Sequence, residues 1–574
     1  MKELSDQQRV LIAFALMLLI LFVWGKFFKP PAPPPSTAPK PGQTSAATPA
    51  PGTNEAAPAA AAATPAVETM VPLPAGAIQA SEEQPIVIES SLYRVEMTNR
   101  GGVVRSWKLK KYLNDEKPPK PLELVNVPAA QQIGAWPLSF SLDDSAAELK
   151  ANTSLYEVST SSHAGDTLKA PAEVTLHWSD GHLDFVKHLK FDESYIVDLS
   201  ATASVDGHLL PAAIAWRGGF GDVGVAQQSQ GVGVFYNENG KLNVLQLKKL
   251  GTPDHQEIRA QQPGSFAYAG IEDQFFTAAF LPNNGTLNLW HSVQQHDFDD
   301  NGKPGQEPEA QMAAGSAIPA PLNMRMYIGP KDIHILATVR PPLDDLVQLG
   351  WFGIIAKPLL EVLQWTHKYI TDWGWAIVVL TLVINMLLFP LKVKNWRSMK
   401  NMQRVAPEVK TIQDRYKKYS FNDPRKRKMN EEIMAIYNRE GINPLGSCLP
   451  MLVQMPFLFA FYRMLSGTIE LRHAPWGGTW IHDLSAHDPY YLLPIVMTIT
   501  MFVMQKMTPM PATDQAQQKM MTYMPLFFGF IFFRLSAGLN LYYFATNLVG
   551  IVQQYYLVKT DPLNAKAPAN NKRK

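Results

Sequence analysis

Four polar side chains stand inside apolar segments in the last third of the chain. They are two glutamines, Gln454 and Gln505, and the adjacent tyrosines Tyr542 and Tyr543. An amide or a phenol both donates and accepts hydrogen bonds, so these groups could stabilise polar atoms that enter a membrane. The simpler interpretation is that the glutamines bond neighbouring helices and that the tyrosines anchor a helix end at the membrane interface.

The motif Gly219-x-Gly221-x-x-Gly224 has the spacing of a dinucleotide-binding fingerprint, whose glycines let a backbone turn approach a pyrophosphate. It lies among strand patterns, and no amphipathic helix follows it, so we interpret it as a turn.

The sequence contains no phosphate-binding Gly-Lys-Ser/Thr loop, nucleophile elbow or evident pair of catalytic carboxylates. We therefore expect a protein that is not an enzyme and that needs no cofactor.

A group of histidines with one aspartate lies between two apolar segments. Such side chains bind zinc when three or four of them converge, but their spacing here is not that of a metal site, and we expect no metal. The single cysteine, Cys448, allows neither an internal disulfide nor a multi-cysteine metal cage. The histidine-aspartate group consists of His473, His482, Asp483 and His487.

Residues 392–440 contain fourteen Lys or Arg against six Asp or Glu by direct count, which places them in the cytoplasm under the positive-inside rule. Two apolar stripes, in 405–419 and 429–437, flank the helix-start signal Asp423-Pro424 and predict a hairpin of two antiparallel helices over 392–441. The excess of basic residues in this segment is equally consistent with a solvated surface and with docking to ribosomal RNA, a targeting receptor or anionic lipid. The candidate docking residues are Arg397, Lys400, Arg404, Arg425, Lys426, Arg427 and Lys428.

The N-terminal region is made up of an apolar run and a spacer. Residues 10–28 lack a small-residue cleavage site, so we predict a retained transmembrane signal anchor over 1–29 rather than a cleaved signal peptide. The Pro- and Ala-rich residues 30–80 are predicted to be a disordered linker.

The formal net charge of +2 is too small for a generic nucleic-acid binder, and we expect no DNA partner.

Residues 81–342 carry short alternating runs that are separated by turns. Residues 92–97 and 103–107 alternate on either side of Gly101-Gly102, which is a hairpin pattern. Because little helical periodicity interrupts such runs, we predict one large antiparallel β-sandwich.

Residues 343–370 have leucines at helical spacing, which predicts an amphipathic helix on the membrane surface. The following residues, 371–560, contain five apolar stretches that approach the length of a membrane span. With the anchor there are six spans, so both termini, including a basic tail over 561–574, are expected in the cytoplasm and the β-domain in the periplasm of a bacterial inner membrane. The five predicted spans are 373–391, 449–467, 490–507, 523–536 and 538–558.

The segment that begins Asn443-Pro444-Leu445-Gly446 closely resembles the YidC membrane protein insertases, and the resemblance covers about 345–560. It implies a membrane α-helical bundle of six transmembrane helices, five of which form the insertase core. It also implies a large periplasmic all-β supersandwich and a cytoplasmic helical hairpin. The similar segments are 443–450, 454–456, 480–485, 488–494, 520–525 and 538–543, with 99–102, 271–276 and 327–331 in the β-region.

The resemblance implies an insertase and chaperone that inserts and helps fold membrane proteins, alone or with the Sec translocon, through a hydrophilic groove open to cytoplasm and lipid. It implies nascent membrane proteins, a ribosome, a targeting receptor and the lipid bilayer as partners. In the family, an arginine four residues after a threonine marks the groove, whereas Asn385 follows Thr381 here and lacks the charge. Arg534 is expected to point outward near the periplasmic end. The expected groove residues are Thr381, Asn385, Gln454, Gln505, Tyr542 and Tyr543.

Two other functions stay open from the residues alone. A secondary transporter of a small solute is disfavoured, because the predicted spans contain few acidic residues and no evident inverted repeat. A carbohydrate-binding or sugar-processing role of the β-domain rests on fold analogy alone.

Overall fold

A computed structural model describes most of the protein that follows the predicted anchor. The predicted anchor, most of the predicted linker and the basic tail lie outside the described residues. All described residues belong to one compact unit, Pro72–Lys574. The described ranges are 76–161, 167–222, 231–250, 260–300, 303–419, 423–442, 449–508 and 515–560.

A β-domain comes first and contains twenty-one strands and four short helices among the described residues. The first strands are β1 (Ala77–Ile78), β2 (Pro85–Glu89), β3 (Tyr93–Thr98), β4 (Val103–Leu113), β5 (Pro121–Glu123), β6 (Ser139–Ser141), β7 (Glu157–Thr160), β8 (Leu168–Lys169), β9 (Ala172–Asp180), β10 (Leu183–Phe191) and β11 (Ile196–Val205). The others are β12 (His208–Leu209), β13 (Ala213–Trp216), β14 (Gly233–Glu238), β15 (Lys241–Gln246), β16 (Ala260–Phe266), β17 (Tyr268–Glu272), β18 (Phe276–Pro282), β19 (Leu287–Asp300), β20 (Lys303–Gly315) and β21 (Leu322–Pro330). The short helices are α1 (Val127–Ile133), α2 (Ser145–Thr153), α3 (Leu247–Leu250) and α4 (Ile333–Thr338).

The strands form three sheets, which agree with the predicted sandwich except in one pairing. The largest has the order β1-β9-β10-β11-β21-β18-β17-β14-β15, with β7 on β9 and β12 on β11. The two five-stranded sheets have the orders β16-β19-β20-β13-β6 and β5-β4-β3-β2-β8. The pair β2 and β8 is parallel, with Ile88 opposite Leu168, whereas the sequence analysis predicted antiparallel pairing throughout. A two-residue edge strand such as β8 carries no hydrophobic period that would reveal its direction.

The predicted hairpin around the double glycine is confirmed. Strands β3 and β4 pair antiparallel, and Thr98 lies opposite Val103 across the turn. Gly101 and Gly102 both have positive φ angles, 71° and 56°, which glycine adopts without steric cost. The turn is also crowded, because a Cβ atom on Gly101 would lie 2.2 Å from the Asn152 carbonyl oxygen.

Lys187 fixes this turn from inside the β-domain. Its side chain is fully buried, and Nζ donates to the carbonyl oxygens of Gly101 at 2.8 Å, Gly102 at 3.0 Å and Leu138 at 2.7 Å. Burial lowers the pKa of Lys187 to about 7, because a low-dielectric surrounding disfavours the charged form. The lysine thus links the turn to the segment before β6.

The end of the predicted linker contains an ordered strand. Strand β1 pairs with β9, with Ala77 opposite Asp180, although the linker was predicted to extend to residue 80. A strand of two residues is too short for a period-2 pattern to appear in the sequence.

The helical part of the protein follows the β-domain. Two short 3₁₀ helices, Asp344–Leu346 and Gly350–Phe352, lead into it. Its helices are α5 (Gly353–Tyr369), α6 (Trp373–Leu387), α7 (Phe389–Arg415), α8 (Pro424–Arg439), α9 (Leu449–Gly467), α10 (Leu492–Met507), α11 (Gln515–Phe532) and α12 (Ala537–Thr560).

The predicted span 373–391 breaks at Leu388, where α6 and α7 meet at a bend of 55°. Pro390 explains the break, because proline lacks the backbone N–H and disfavours helical geometry in the residue before it. Among the described helices, none is by itself both long and apolar enough to cross a bilayer, and α6 with α7 is the one bent pair that meets this criterion jointly.

The predicted membrane-surface segment contains one helix, whose leucine face packs against the protein. Helix α5 begins at Gly353, and its leucine stripe, which includes Leu359 and Leu363, is buried in contact with α9 and α6. Apolar side chains on another face are exposed instead, with Ile354 at 88% and Trp365 at 58%. Helical spacing could not tell which of these faces meets the protein.

The predicted helix pair is present as α7 and α8. Asp423 caps α8, and its carboxylate accepts from the Arg425 backbone N–H at 2.9 Å, which confirms the predicted helix start. The two predicted stripes meet in one apolar cluster that includes Val405, Val409 and Ile436. Burial of these stripes holds the two helices together.

Buried ionic contacts join the β-domain to the helical part. The Arg472 guanidinium, after α9, donates to the Asp222 carboxylate of the β-domain, and both side chains are at most 3% exposed. Gln348 donates to Glu272 at 2.6 Å, while the Lys331 ammonium lies 3.0 Å from the same carboxylate. Burial raises the pKa of Glu272.

We expect Gly101→Ala to lower the midpoint of thermal unfolding more than Gly240→Ala. Both positions have positive φ angles, so each alanine carries a backbone cost of about 1–2 kcal/mol. A Cβ atom at Gly240 meets nothing within 4 Å, whereas at Gly101 the clash with Asn152 adds about 1–3 kcal/mol. Equal midpoints for the two variants would contradict the described turn.

We expect Arg472→Met to destabilise the protein by about 3–5 kcal/mol, because it leaves the buried Asp222 carboxylate without its cation. Arg439→Met is the control, since Arg439 pairs with Glu408 on the surface, where an ion pair contributes at most about 1 kcal/mol. Thermal unfolding in detergent measures both variants. A loss in Arg472→Met no larger than that of the control would show that the junction does not depend on this pair.

Candidate functional site

Helix α6 carries two of the predicted groove residues, Thr381 and Asn385, on one buried face. Its start is fixed by Asp372, whose carboxylate accepts from the Trp375 N–H at 2.9 Å. Thr381 and Asn385 are one turn apart, 0% and 4% exposed, on the side where α6 packs against α12. The Thr381 hydroxyl donates to the Ile377 carbonyl oxygen at 2.7 Å, and the Asn385 amide donates to the Thr381 carbonyl oxygen at 2.8 Å.

Asn385 belongs to a polar cluster that joins three helices. The Lys392 ammonium of α7 donates to Asn385 Oδ1 at 2.7 Å and to Gln553 Oε1 of α12 at 3.2 Å. Gln553 Nε2 donates in turn to the Asn385 carbonyl oxygen at 3.2 Å. That carbonyl is among the last four of α6, which have no partner within the helix. Asn385, Lys392 and Gln553 are named the amide-lysine cluster below.

The amide-lysine cluster contains the Lys392 ammonium, and the groups that accept its hydrogen bonds are uncharged. Both acceptors of the Lys392 ammonium are amide oxygens, and no described carboxylate pairs with it. The C-terminal end of a helix also attracts a cation, because the helix dipole is negative there. Lys392 is half-buried, and its ammonium is held by these two amide oxygens.

A second polar contact links α9 to α12. Gln454 Nε2 donates to the Tyr542 hydroxyl at 3.3 Å, and the Tyr542 ring stacks on Phe461 with centroids 3.9 Å apart. Tyr542 and Gln553 are eleven residues apart on α12, which is roughly 16 Å at helical rise. The structure therefore places Asn385 and Gln454 in two separate contacts with α12.

Tyr543 and Gln505 take no part in the hydrogen bonds of these two contacts. Tyr543 packs edge-on against Phe532 and against Tyr542, with ring centroids 4.8 and 5.1 Å apart. Gln505 is half-buried on α10, and no described residue hydrogen-bonds its side chain. Arg534, considered as a substitute cation, is exposed in the turn after α11, beyond the end of the helix that was predicted to carry it.

The candidate docking residues lie on both helices of the α7–α8 pair, and most are exposed. Arg425 is held by Asp423, with Nε and Nη2 each 3.0 Å from a carboxylate oxygen, and lies 3.9 Å over the Tyr419 ring. Arg427 is 3.5 Å from Glu431. Arg397, Arg404 and Lys428 are also exposed, while Lys400 and Lys426 are partly buried.

The two groupings that the sequence analysis set aside have structural partners. Gly219 and Gly221 have positive φ angles of 89° and 101° on either side of Phe220, which forms an isolated antiparallel bridge with Val125, and Gly224 lies outside the described residues. His473 Nε2 is 2.8 Å from Asp115 Oδ1, and Asp483 accepts from the Ser485 backbone N–H at 2.7 Å. Within the described ranges, no group of three or more His, Cys, Asp or Glu could hold a metal.

Sequence reasoning missed Lys392 and Gln553 as site residues. Lys392 was counted only as one of many charges that set topology. The spacing of seven residues between Asn385 and Lys392 is close to two helical turns and could have suggested that they share a face. Nothing in the sequence paired Gln553 with Asn385, because the 168 residues between them leave the contact to the packing of α6 on α12.

Known families match both parts of the protein. Residues 365–564 match the family described as 60Kd inner membrane protein, and residues 85–362 match the family described as YidC periplasmic domain. A protein of Cupriavidus taiwanensis named membrane protein insertase YidC is 33% identical over 482 residues, 83% of this chain and 82% of that protein. A protein of the same name from Campylobacter jejuni is 48% identical over 233 residues, 41% of this chain and 43% of that protein.

Two solved structures are similar at low identity. One is described as an active YidC insertase with the first transmembrane domain resolved; it is 17% identical, and the match covers 84% of this chain and 94% of that protein at a TM-score of 0.33. The other, YidC from Thermotoga maritima, is 14% identical, and the match covers 84% and 99% at a TM-score of 0.27. Superposition is poor at these TM-scores, so the sequence matches carry the comparison.

We expect Tyr542→Ala to destabilise the protein by about 3–5 kcal/mol, because it removes a fully buried ring. Tyr542→Phe keeps the stacking on Phe461 and removes only the hydroxyl that accepts from Gln454, so we expect a loss of about 1 kcal/mol. Thermal unfolding in detergent compares the two variants. Equal losses would show that the hydrogen bond, and not the ring, holds α12 against α9.

Proposed function

Because the chain belongs to the YidC family of membrane protein insertases, we propose that it inserts client membrane proteins through polar side chains enclosed by α6, α7, α9 and α12. The protein is an inner-membrane insertase with a periplasmic domain. The family is not a known enzyme class, and we propose that this protein catalyses no covalent reaction. A client here is any membrane protein that it inserts.

The amide-lysine cluster is the observation that supports this proposal most strongly. Moving a charged or polar client segment through the bilayer centre costs from about 3 to above 10 kcal/mol per charge. Side chains that offer hydrogen bonds within the apolar layer lower this cost, because hydrocarbon provides no partners. Burial of the client's own apolar segment in lipid then drives insertion. Asn385, Lys392 and Gln553 supply both donors and acceptors for such a segment.

The membrane arrangement that we propose has six spans with both termini in the cytoplasm and the β-domain in the periplasm. The charge asymmetry of residues 392–440 supports it, since basic loops stay on the cytoplasmic side. In this arrangement the chain enters the membrane along α6 and leaves it toward the cytoplasm along α7. Lys392 lies near that exit.

Helix α5 is proposed to lie at the periplasmic membrane surface. Its leucine stripe is buried against the protein, and its exposed apolar face includes Ile354, Trp365 and Tyr369. Tryptophan and tyrosine favour the headgroup layer, because their rings are apolar and their N–H and O–H groups are polar. This face is therefore proposed to contact lipid.

The α7–α8 pair is proposed to dock cytoplasmic partners. Its basic residues, most of them exposed, would attract ribosomal RNA or a targeting receptor that delivers nascent chains. We further propose that the protein works alone or beside the Sec translocon. A pair of Arg397 and Arg404 charge reversals tests docking, since ribosome co-sedimentation should fall if these residues take part.

We expect the purified full-length protein, reconstituted in lipid vesicles, to insert a short single-span client whose protease protection reports insertion. A photo-crosslinker at Gln454 should capture the client, while one at Leu149, which is 65% exposed on the β-domain, should not. Solute flux without client insertion would support a secondary transporter instead. Empty vesicles, which measure spontaneous insertion, are the control.

A further inference from the structure

Residues 217–222 form a glycine-rich segment that passes directly over two buried carboxyl groups of the β-domain. A Cβ atom on Gly219 would lie 2.5 Å from Glu309 Oε2, and a Cβ atom on Gly221 would lie 2.3 Å from Asp273 Oδ2. Each glycine therefore lets a carboxyl group approach the backbone at a distance that a side chain would prevent. Residues 217–222 are named the glycine strap below.

Glu309 lies beneath the glycine strap with one amide and one imidazole beside it. The residue is 8% exposed, and its Oε1 accepts from Asn126 Nδ2 at 2.6 Å. His296 is also buried, and its Nδ1 lies 3.6 Å from the same oxygen. No described residue hydrogen-bonds that nitrogen. Burial raises the pKa of Glu309 to about 8, because an ionised carboxylate is disfavoured where water is excluded.

Among the described residues, His296 is the one basic group within 4 Å of the Glu309 carboxyl group. Helix α1, which packs on β19, contains no ionisable residue. The other ionisable groups around Glu309 are exposed or paired: Glu307 on β20 and Asp297 on β19 are exposed, Arg217 of the strap pairs with Glu148 of α2, and Asp222 pairs with Arg472.

We propose that Glu309 and His296 hold one proton between them and that this proton keeps the glycine strap closed. With one proton the pair carries no net charge, whether the carboxyl group is protonated or a carboxylate faces an imidazolium. Without it, a net negative charge is buried and must regain water. Gly219 is the backbone that packs on Glu309 Oε2, so the strap is the segment that moves aside.

The opened strap reaches the junction of the β-domain with the helices, because it ends at Asp222, which binds Arg472. A periplasmic domain meets the pH of the medium, since the outer membrane contains water-filled porins. The pair therefore makes this attachment sensitive to alkaline conditions. This inference goes beyond the proposed insertase function and does not depend on it.

The direction of the pH dependence follows from where the proton is held. In the opened strap, Glu309 ionises at the ordinary pKa of a glutamate, whereas in the closed strap its pKa is about 8. Its contribution is therefore fully present below the ordinary pKa and is lost as the pH rises to about 8. An exposed imidazole takes up a proton below about pH 6.5, which confines the net effect of the pair to the interval from about pH 6.5 to about pH 8.

Hydrogen exchange of the full-length protein in lipid nanodiscs, measured by mass spectrometry, tests this inference. The measured quantity is the protection of the peptide that contains the glycine strap, corrected for the intrinsic exchange rate at each pH. We expect protection in the unmodified protein to fall between about pH 6.5 and about pH 8. Glu309→Gln removes the titrating group and should make this fall shallower by about tenfold per pH unit, the effect of one proton.

Glu307→Gln is the matched control, because it removes an exposed carboxyl group two residues away on the same face of β20. We expect it to change the pH dependence by less than about twofold per pH unit. Thermal unfolding checks that each variant folds, and Glu309→Met replaces Glu309→Gln in the same comparison if that variant does not.

The same pH dependence in Glu309→Gln and in the unmodified protein would overturn the inference. Protection that stays constant over this pH interval in the unmodified protein would overturn it as well. No client takes part in these measurements, so their failure is distinct from a failure of the proposed function, which the insertion assay reports.

Discussion

Polar groups within the apolar part of this protein must find their hydrogen-bond partners in the protein itself, because hydrocarbon offers none. Along α6 this constraint produces a continuous series of bonds. The Thr381 hydroxyl bonds the backbone one turn earlier, Asn385 bonds Thr381, and Lys392 and Gln553 complete the end of the helix. The positions of α6, α7 and α12 relative to each other depend on these contacts, and so does the charge held between them.

Buried polar groups also have partners within the protein where the β-domain meets the helices, and there some of these groups are charged. Arg472 and Asp222 are both buried, and Gln348 joins Glu272 and Lys331 in a second contact. Removing one partner of such a pair leaves a buried charge, which is costly. These buried contacts attach the β-domain firmly to the helical part.

The sequence predicted the elements that obey a local rule. The turn at Gly101 needs positive φ angles and the cap at Asp423 needs a short acidic side chain, so both are readable from a few residues. Pro390 also signals the helix break in the sequence, but the apolar run around it led to the prediction of one continuous span. Contacts over long separations were not readable, and the cluster of Asn385 with Gln553 is the main example. The face of α5 that meets the protein was likewise hidden, because two of its faces are apolar.

The placement of the charge explains why Asn385 and Lys392 belong together. Position 385 is 4% exposed, so a cation there would lose most of its hydration, whereas Lys392 is half-buried and reaches the same point with a long apolar stem. Arginine has no acceptor atom and could not hold the Lys392 ammonium, so arginine at 385 with lysine at 392 would place two cations side by side. Asparagine removes that repulsion and supplies the oxygen that the lysine needs. In this protein the cation of the amide-lysine cluster thus belongs to the half-buried position 392, and the buried position 385 supplies an acceptor for it.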